Sequence, residues 1–438
     1  MSRQSDENPQ TEIELPRYDT TDEVEVRSLP PADRGRQAYL VLAGCTLIQA
    51  PVWGYSLAFG VFQEYYTTHN NVKGSPGAIA TVGTTLNGLM YLMMPLSFTA
   101  LTRYPFLRPY CGPVGLLITA SSLIGSAYAT KVWHLLASQG VLCAIGSGLL
   151  FSPTTLYLDE WFIARKGLAY GTIWAGKSVG GVVIPFIMSS LLTRFGPRVT
   201  LLAWSVTLVI ITTPLLFFLK PRIPISNSVQ RRPLAWAFLK IPMFWMLQAG
   251  NIIQSLGYLF PTTYIASYAH LLGLTPLTGA ILIAGFSLGS VPGALFHGLL
   301  GDRLKPTNVI LISSIGSTIS VLLLWGLARE IVVLVFFVLI YGFFAGGFSS
   351  TYPGILHEMK RADETVDTGL IMGLLLGGRG VGFTIGGPIS ASLLKARWSA
   401  TGPWAYDTQY GAIIVCTAAT AFLGGWGWMW RMLKIVLA

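Results

Sequence analysis

Charged residues are scarce in this chain of 438 residues. They make up 11% of it, against about 25% in soluble domains, whereas 52% of the residues are hydrophobic and the mean hydropathy is +0.58. All nineteen acidic residues lie in an N-terminal tail, in loops or at the ends of apolar runs. This composition excludes an ordinary soluble domain.

The chain also has few residues that could form a catalytic or metal site. Its four cysteines, Cys45, Cys111, Cys143 and Cys416, lie within or at the end of apolar runs and have neither disulfide nor metal-ligand spacing. Gly171–Ser178 (GTIWAGKS) matches the phosphate-loop pattern, but that pattern requires a preceding strand, and here it lies inside an apolar helix. We therefore expect no enzyme, metal or cofactor.

Long apolar runs are abundant, and many exceed the roughly 20 residues needed to cross a bilayer. They predict an all-α integral membrane protein with twelve transmembrane helices. The predicted spans are approximately 38–63, 77–101, 110–129, 132–157, 167–193, 199–219, 241–268, 277–300, 307–327, 331–356, 368–394 and 409–433.

The net charge of +10 is unevenly distributed. Residues 1–33 hold nine acids and three arginines, which predicts a disordered, acidic cytoplasmic tail over 1–37 with no cleavable signal peptide. With that tail inside, seventeen basic residues border the cytoplasm and seven the outside, so both termini are predicted to be cytoplasmic. The membrane topology thus accounts for the excess of positive charge, and binding to nucleic acid is not needed to explain it. The predicted location is the cell membrane, with an internal, vacuolar membrane as the alternative.

An internal repeat divides the chain into two. AGKSVGG (Ala175–Gly181) aligns with GGRGVGF (Gly377–Phe383), which places Lys177 over Arg379 at an offset of 202 residues. Gly54–Tyr55 pairs similarly with Gly257–Tyr258, and Pro153 with Pro353. We predict two pseudo-symmetric six-helix halves, 38–219 and 241–438, joined by a cytoplasmic connector over 220–240. Parallel halves of this kind are typical of transporters with a midplane binding site and alternating access.

Three segments carry a family resemblance: GDRL at Gly301–Leu304, WGYSLAFGVFQEYY at Trp53–Tyr66, and the fifth span with its Arg165–Ala169 motif RKGLA. Together with the two halves, they resemble the major facilitator superfamily, and in particular fungal members of the monocarboxylate porter family. The resemblance implies movement of organic anions or larger metabolites, and a gating loop with Asp302 and Arg303. The eighth span lacks the Asp and Arg of well-studied carriers, and the first lacks their Lys, so the rules for lactate carriers do not transfer.

The candidate substrate site centres on the two basic residues inside spans. Lys177 lies about 16 Å along a helix from Lys166, and Arg379 lies 12 residues after Asp367, at a similar depth. An intramembrane cation is costly unless it faces a cavity or a partner, so both are predicted to bind an anion; the alternative is that they pin packed helices. Polar and aromatic residues on neighbouring spans complete the predicted site: Tyr55, Asn87, Trp174, Gln254 and Tyr258.

Proton coupling has two candidates. Glu64 lies at the outer end of the first span, and His297 lies inside the eighth, where a packing role is the alternative.

The predicted function is secondary active transport of a small organic anion or amphipathic metabolite, with efflux of a cell-made product as the leading form. The alternatives are proton-linked uptake of a monocarboxylate or vitamin-like aromatic and, third, a transport-dead receptor. The expected partners are that small molecule and the lipid bilayer, with no nucleic acid, and we expect the protein to function as a monomer.

Overall fold

The computed structural model describes residues 29–69, 76–224, 234, 236–395 and 405–437, and among these residues the regular structure is helical, with no strand. The all-α class is therefore confirmed. The predicted disordered tail falls mainly on residues 1–28 and the middle of the connector on 225–233, both outside the described residues.

The first half begins with a span that breaks at Ala58. Its α-helices are α1 (Arg36–Leu57), α2 (Phe59–His69), α3 (Pro76–Leu92), α4 (Met94–Arg103), α5 (Arg108–Ala127), α6 (Val132–Leu135), α7 (Cys143–Trp161) and α8 (Lys166–Leu216). A π-helical segment, Leu136–Leu142, joins α6 to α7, so these three segments form one span.

The second half begins with a span that breaks in the equivalent place, at Leu259. Its α-helices are α9 (Pro242–Tyr258), α10 (Phe260–Leu271), α11 (Pro276–Gly301), α12 (Pro306–Ile319), α13 (Ile331–Gly346), α14 (Tyr352–Ala362), α15 (Thr368–Lys395), α16 (Gly411–Gly424) and α17 (Trp426–Leu437). A π-helical segment, Ser320–Trp325, extends α12, and a 3₁₀ turn, Phe348–Thr351, joins α13 to α14.

These helices make twelve crossings. Eight helical segments are long and apolar enough to cross a membrane, or nine when α16 and α17, bent by 41°, count as one span. One of them, α8, has 51 residues, which would measure about 76 Å as one straight helix, more than twice the ~30 Å hydrocarbon core, so it contains two spans. The pairs α3–α4 and α9–α10 are also long enough to cross.

The boundary between the fifth and sixth spans falls at a kink inside α8. The spans were expected to end at 193 and begin again at 199, and the two helices that make up α8 meet between these positions, at Gly196. Within α8, Gly196 alone has a positive φ, of 74°, and Pro197 follows it. A glycine tolerates this conformation without strain, so the two helices meet at a single non-helical residue.

The two halves meet along a seam in which α8 packs against α11, and α15 packs against α3 and α4. Glycines allow this close approach: a Cβ on Gly171 would lie 2.6 Å from the carbonyl oxygen of Ala294. Small residues permit such contacts in lipid. We call the membrane face where α1 begins and α17 ends the terminal face; α8 also begins there. Lys177 and Arg379 both lie at the seam, well away from that face.

Candidate functional site

Arg379 occupies the second-half side of the seam, on the glycine-rich part of α15, and is 1% exposed. Its Nη1 donates a hydrogen bond to Oε1 of Gln254 at 3.1 Å. The guanidinium lies over the ring of Tyr258, with 4.6 Å from Cζ to the ring centroid, and 5.3 Å from that of Phe383. Its Nε is buried and has no hydrogen-bond partner in the structure.

Tyrosine hydroxyls form the polar surroundings of this guanidinium. Tyr91, Tyr258 and Tyr352 all interact with Arg379 electrostatically. Tyr352 in turn donates a hydrogen bond to Oδ1 of Asn251 at 2.7 Å. Asn251 is anchored because its Nδ2 donates to the carbonyl oxygen of Leu375 in α15. The arginine thus lies in a cluster of neutral polar groups.

Lys177 lies across the seam on α8 and is half-buried. Its Nζ donates a hydrogen bond to the hydroxyl of Tyr91 at 3.3 Å. The ammonium lies 4.7 Å from the ring centroid of Trp53 and 5.3 Å from that of Trp174. Aromatic faces attract cations in this range. Tyr91 therefore lies between the two basic residues and interacts with both of them.

The aromatic wall around Lys177 is held in place from behind. Trp53 donates from Nε1 to Oε1 of Gln49 at 2.8 Å, and Gln49 donates from Nε2 to Oγ1 of Thr154 at 3.2 Å. Trp174 lies 6.2 Å from Trp53 between ring centroids. Unlike Trp53, it has a buried Nε1 with no hydrogen-bond partner in the structure.

The two cations interact with each other electrostatically and have no carboxylate partner among the described residues. Ion pairs in the described part of the chain include Arg108–Glu160 at 2.6 Å, Lys166–Asp159 at 2.5 Å and Arg431–Glu358 at 3.5 Å, and these three lie near the terminal face. A buried cation without a counter-charge is costly, and this applies most to Arg379, which is 1% exposed. An anion between the two cations would relieve that cost. We call Lys177, Arg379 and the surrounding Trp53, Tyr91, Trp174, Gln254 and Tyr258 the central site.

Of the seven residues predicted for this site, five lie together, Asn87 lies beside them and Tyr55 packs elsewhere. Trp174, Gln254 and Tyr258 contact the cations as described, and Asn87 lies one helical turn from Tyr91, where it accepts a hydrogen bond from Ser56 Oγ at 2.6 Å. Tyr55 points away into the first half: its hydroxyl accepts a hydrogen bond from Gln139, and its ring stacks on Trp204.

The proton-coupling candidates lie away from the central site. Glu64 is on α2 and is exposed. His297 is fully buried on α11, where its Nδ1 lies 2.8 Å from the carbonyl oxygen of Gly293 and its ring packs against Phe343 and Phe344 of α13. This position suits packing between the eighth and tenth spans.

The predicted gating loop reaches across the seam at the terminal face. Asp302 accepts hydrogen bonds from the backbone N–H groups of Gly167, at 2.6 Å, and Leu168, at 2.9 Å. These groups belong to the first turn of α8, whose N–H groups have no partner within the helix. Arg303 follows in the same turn and is exposed. A second seam contact nearby joins Thr368 Oγ1 to Asp159 at 2.7 Å.

Sequence reasoning missed Tyr91, Tyr352 and Phe383. One signal was present, because Tyr91 is four residues after Asn87 and therefore on the same helix face. Tyr352 follows a 3₁₀ turn that changes the direction in which its side chain points, so helical periodicity could not place it. Within the described residues, no group of three His, Cys, Asp or Glu side chains could hold a metal ion.

Comparison with known proteins identifies the family. The model of the Major Facilitator Superfamily matches residues 42–284 and 249–434. The chain is 26% identical over 401 residues to the MFS-type transporter pynF of Aspergillus niger, covering 91% of this chain and 88% of that protein. It is 28% identical over 407 residues to the aspyridones efflux protein apdF of Emericella nidulans, covering 91% and 78%. It is 27% identical over 360 residues to the fujikurins efflux protein of Gibberella fujikuroi, covering 80% and 74%.

Solved structures agree on the fold. The proton:xylose symporter XylE superposes with a TM-score of 0.67 at 13% identity, covering 90% of this chain and 95% of that one. The human organic anion transporter MFSD10 superposes with a TM-score of 0.64 at 15% identity, covering 90% and 99%. This chain is therefore a multi-pass membrane transporter rather than an enzyme, and it belongs to the Major Facilitator Superfamily.

Proposed function

We propose that this transporter moves an amphipathic organic anion, that the anion binds between Lys177 and Arg379, and that the physiological direction is export. The observation that carries the proposal is the pair of cations at the seam without a carboxylate partner among the described residues. An arginine can hold a carboxylate through two parallel hydrogen bonds, and Arg379 has a buried Nε–H to offer.

The aromatic surroundings favour a substrate with planar or apolar parts. Trp53, Tyr91 and Trp174 face the ammonium of Lys177, and Tyr258 and Phe383 face the guanidinium. Apolar walls with a few convergent polar groups are typical of sites for small organic molecules. A bare short-chain acid would leave most of these rings without a contact.

Export is supported by the relatives. Two of them are named as efflux proteins, for aspyridones and for fujikurins. We further propose that both termini are cytoplasmic, that the protein acts in the cell membrane as a monomer, and that closure at Asp302 shuts the cytoplasmic entrance. Membership of the monocarboxylate porter family remains a prediction from the sequence motifs.

The test is untargeted metabolite profiling of cells and medium for a host that expresses wild type, an empty vector, Arg379→Gln or Arg198→Gln. Arg198 is the matched control because its guanidinium also lies over a tyrosine ring, that of Tyr128 at 4.4 Å, but far from the seam. We expect a solute that accumulates in the medium with wild type and with Arg198→Gln. Arg379→Gln should lower its export at least 10-fold, since losing a charged hydrogen-bond partner costs about 1.5–3 kcal/mol.

Two outcomes would contradict the proposal. Full export by Arg379→Gln at equal membrane abundance would reduce the arginine to a packing residue. Depletion of a solute from the medium by wild type would reverse the direction and favour proton-linked uptake of a monocarboxylate or vitamin-like aromatic instead.

A further inference from the structure

A cavity lies at the terminal face of the second half, separate from the central site. Its volume is about 430 Å³, and it lies between α9, the turn before α12, α14 and α17. The basic side chains of Lys305, Arg361 and Arg431 line it, with Glu358 as the acidic residue among its lining groups. The cavity is therefore electropositive.

The positive charge in this cavity exceeds what its carboxylate can neutralise. Arg431 Nη1 lies 3.5 Å from Oε1 of Glu358 and donates to Oγ1 of Thr307 at 3.3 Å. Lys305 and Arg361 interact with the same carboxylate electrostatically. The single carboxylate thus faces three basic side chains, and the net positive charge that remains favours an anionic ligand such as a phosphate.

The floor of the cavity is apolar. Met243 and Met246 of α9 and Trp430 of α17 line it beside the basic groups. A narrow crevice lined by Phe348, Trp426 and Trp428 adjoins it and shares Met246 with it. A ligand here would meet charge at the surface and hydrocarbon below.

The helix that borders the cavity completes the last span and ends at the terminal face. This helix, α17, bends away from α16 by 41° and carries three tryptophans together with Arg431. Tryptophans are enriched where spans meet the lipid headgroups, and basic residues border the cytoplasmic ends of spans. The cavity therefore opens where lipid headgroups are found.

We propose that this cavity binds the headgroup of an anionic glycerophospholipid, with the phosphate held by Lys305, Arg361 and Arg431 and the start of an acyl chain against Met246 and Trp430. Basic pockets between transmembrane helices bind such headgroups on the cytoplasmic side. The proposal does not depend on what the central site transports.

A lipid bound here would lie close to the gating loop and to helices that carry residues of the central site. Lys305 lies three residues after Asp302, in the turn that reaches across the seam. The helices α9 and α14 that line the cavity also carry Gln254 and Tyr352, which contact or surround Arg379. Occupancy of the cavity would stabilise the second half in the arrangement described here.

The test compares thermal unfolding of the purified full chain in nanodiscs of phosphatidylcholine with and without phosphatidylinositol. Phosphatidylinositol should raise the unfolding temperature of wild type by about 3 °C or more. The same lipid should raise the unfolding temperature of Arg361→Gln by much less. Lys360→Gln is the matched control, because it removes the same charge from the neighbouring, exposed residue, which is not among the cavity-lining residues.

Each alternative outcome has a defined meaning. Phosphatidylinositol could raise the unfolding temperature of Arg361→Gln as much as that of wild type, or its effect could fall equally in Arg361→Gln and Lys360→Gln. Either result would overturn the site in favour of general attraction to an anionic surface. Soluble glycerophosphoinositol that reproduces the gain in phosphatidylcholine nanodiscs would assign the cavity to a soluble phosphate ester and overturn the lipid. Measuring each variant first in pure phosphatidylcholine separates a loss of binding from a failure to fold.

Discussion

Buried donors without partners are the most informative single groups in the central site. Nε1 of Trp174 and Nε of Arg379 both lack a hydrogen-bond partner in the structure. A buried polar group without a partner costs about 1–3 kcal/mol, and native proteins retain few of them. Nε belongs to the Arg379 guanidinium, and the ring of Trp174 lies beside the ammonium of Lys177, so a substrate rich in hydrogen-bond acceptors would satisfy both donors and the charges together.

Replacing Trp174 with phenylalanine tests this role. Trp174→Phe keeps an aromatic face for Lys177 but removes the Nε1–H, so we expect KM for the exported solute to rise about 10-fold. Trp204→Phe is the matched control: Trp204 also has a buried Nε1 without a partner, but it stacks on Tyr55 within the first half. The KM of each variant is measured from the dependence of transport on solute concentration in proteoliposomes. Equal KM values for the two variants would remove Trp174 from the site.

At this scale the sequence revealed the cations but not their surroundings. A charge inside an apolar span is conspicuous, and Lys177 and Arg379 indeed lie together. Their aromatic neighbours are inconspicuous because most aromatics in membrane spans serve packing. Tyr55 shows the difficulty: it shares a span with Trp53, yet its hydroxyl binds Gln139 in the first half.

Helix packing in this molecule depends on glycines that face backbone rather than side chains. On α11, a methyl group added at Gly293 would overlap the carbonyl oxygen of Phe343 in α13. At Gly387 on α15, an added methyl group would meet no atom within 4 Å. These two positions carry the same residue in the same kind of helix but differ in the space available.

Gly293→Ala should therefore destabilise the protein, and Gly387→Ala should not. Overpacking typically costs about 1–3 kcal/mol, so we expect a clear drop in the thermal unfolding temperature of Gly293→Ala in detergent. Gly387→Ala should match or slightly exceed wild type, because alanine is the better helix former. A drop of similar size in both would show that intrinsic helix flexibility, rather than contact between α11 and α13, determines the effect.

Helices were more predictable than the turns between them. The spans follow from the length of apolar runs, whereas the breaks of α1–α2 and α9–α10 were not predicted, although they lie at equivalent positions of the repeat. The turn between the fifth and sixth spans was expected between 193 and 199, and in the structure two helices meet there at one non-helical residue, Gly196. The length of the apolar runs could not show that a single residue would make this turn.

On the scale of the whole molecule, the described seam is closed at the terminal face. Asp302 of the second half caps the start of α8 in the first half, and Thr368 binds Asp159 across the same seam. These contacts must break if the halves rock apart there. They are polar and few, which suits a contact that forms and breaks in each cycle.

Asp302→Asn should shift the protein toward an arrangement that is open at the terminal face. The amide can accept through one atom only, and loss of a helix cap costs about 1 kcal/mol, or about fivefold in population. Spin labels at Ile163→Cys and Leu304→Cys, both exposed positions, report the distance across the seam after the native cysteines are replaced. We expect a larger long-distance population in the variant.

Asp363→Asn is the control for that measurement. Asp363 is also at the terminal face, but its carboxylate accepts from Thr365 in its own turn, so the distance distribution should match wild type. An unchanged distribution for Asp302→Asn would show that Asp302 does not hold the seam closed.

If an anion binds between Lys177 and Arg379 as proposed, these two cations also make the carrier sensitive to membrane voltage. Each unneutralised charge that exchanges access between the two sides experiences about 2.3 kcal/mol per 100 mV. When the interior is negative, the empty, positively charged site is drawn toward inward access, and a bound anion weakens that pull because it lowers the net charge of the site. The resting potential of the cell would then return the empty carrier to its inward-facing state. The same potential favours movement of the anion out of the cell. Export could therefore proceed without a coupling ion.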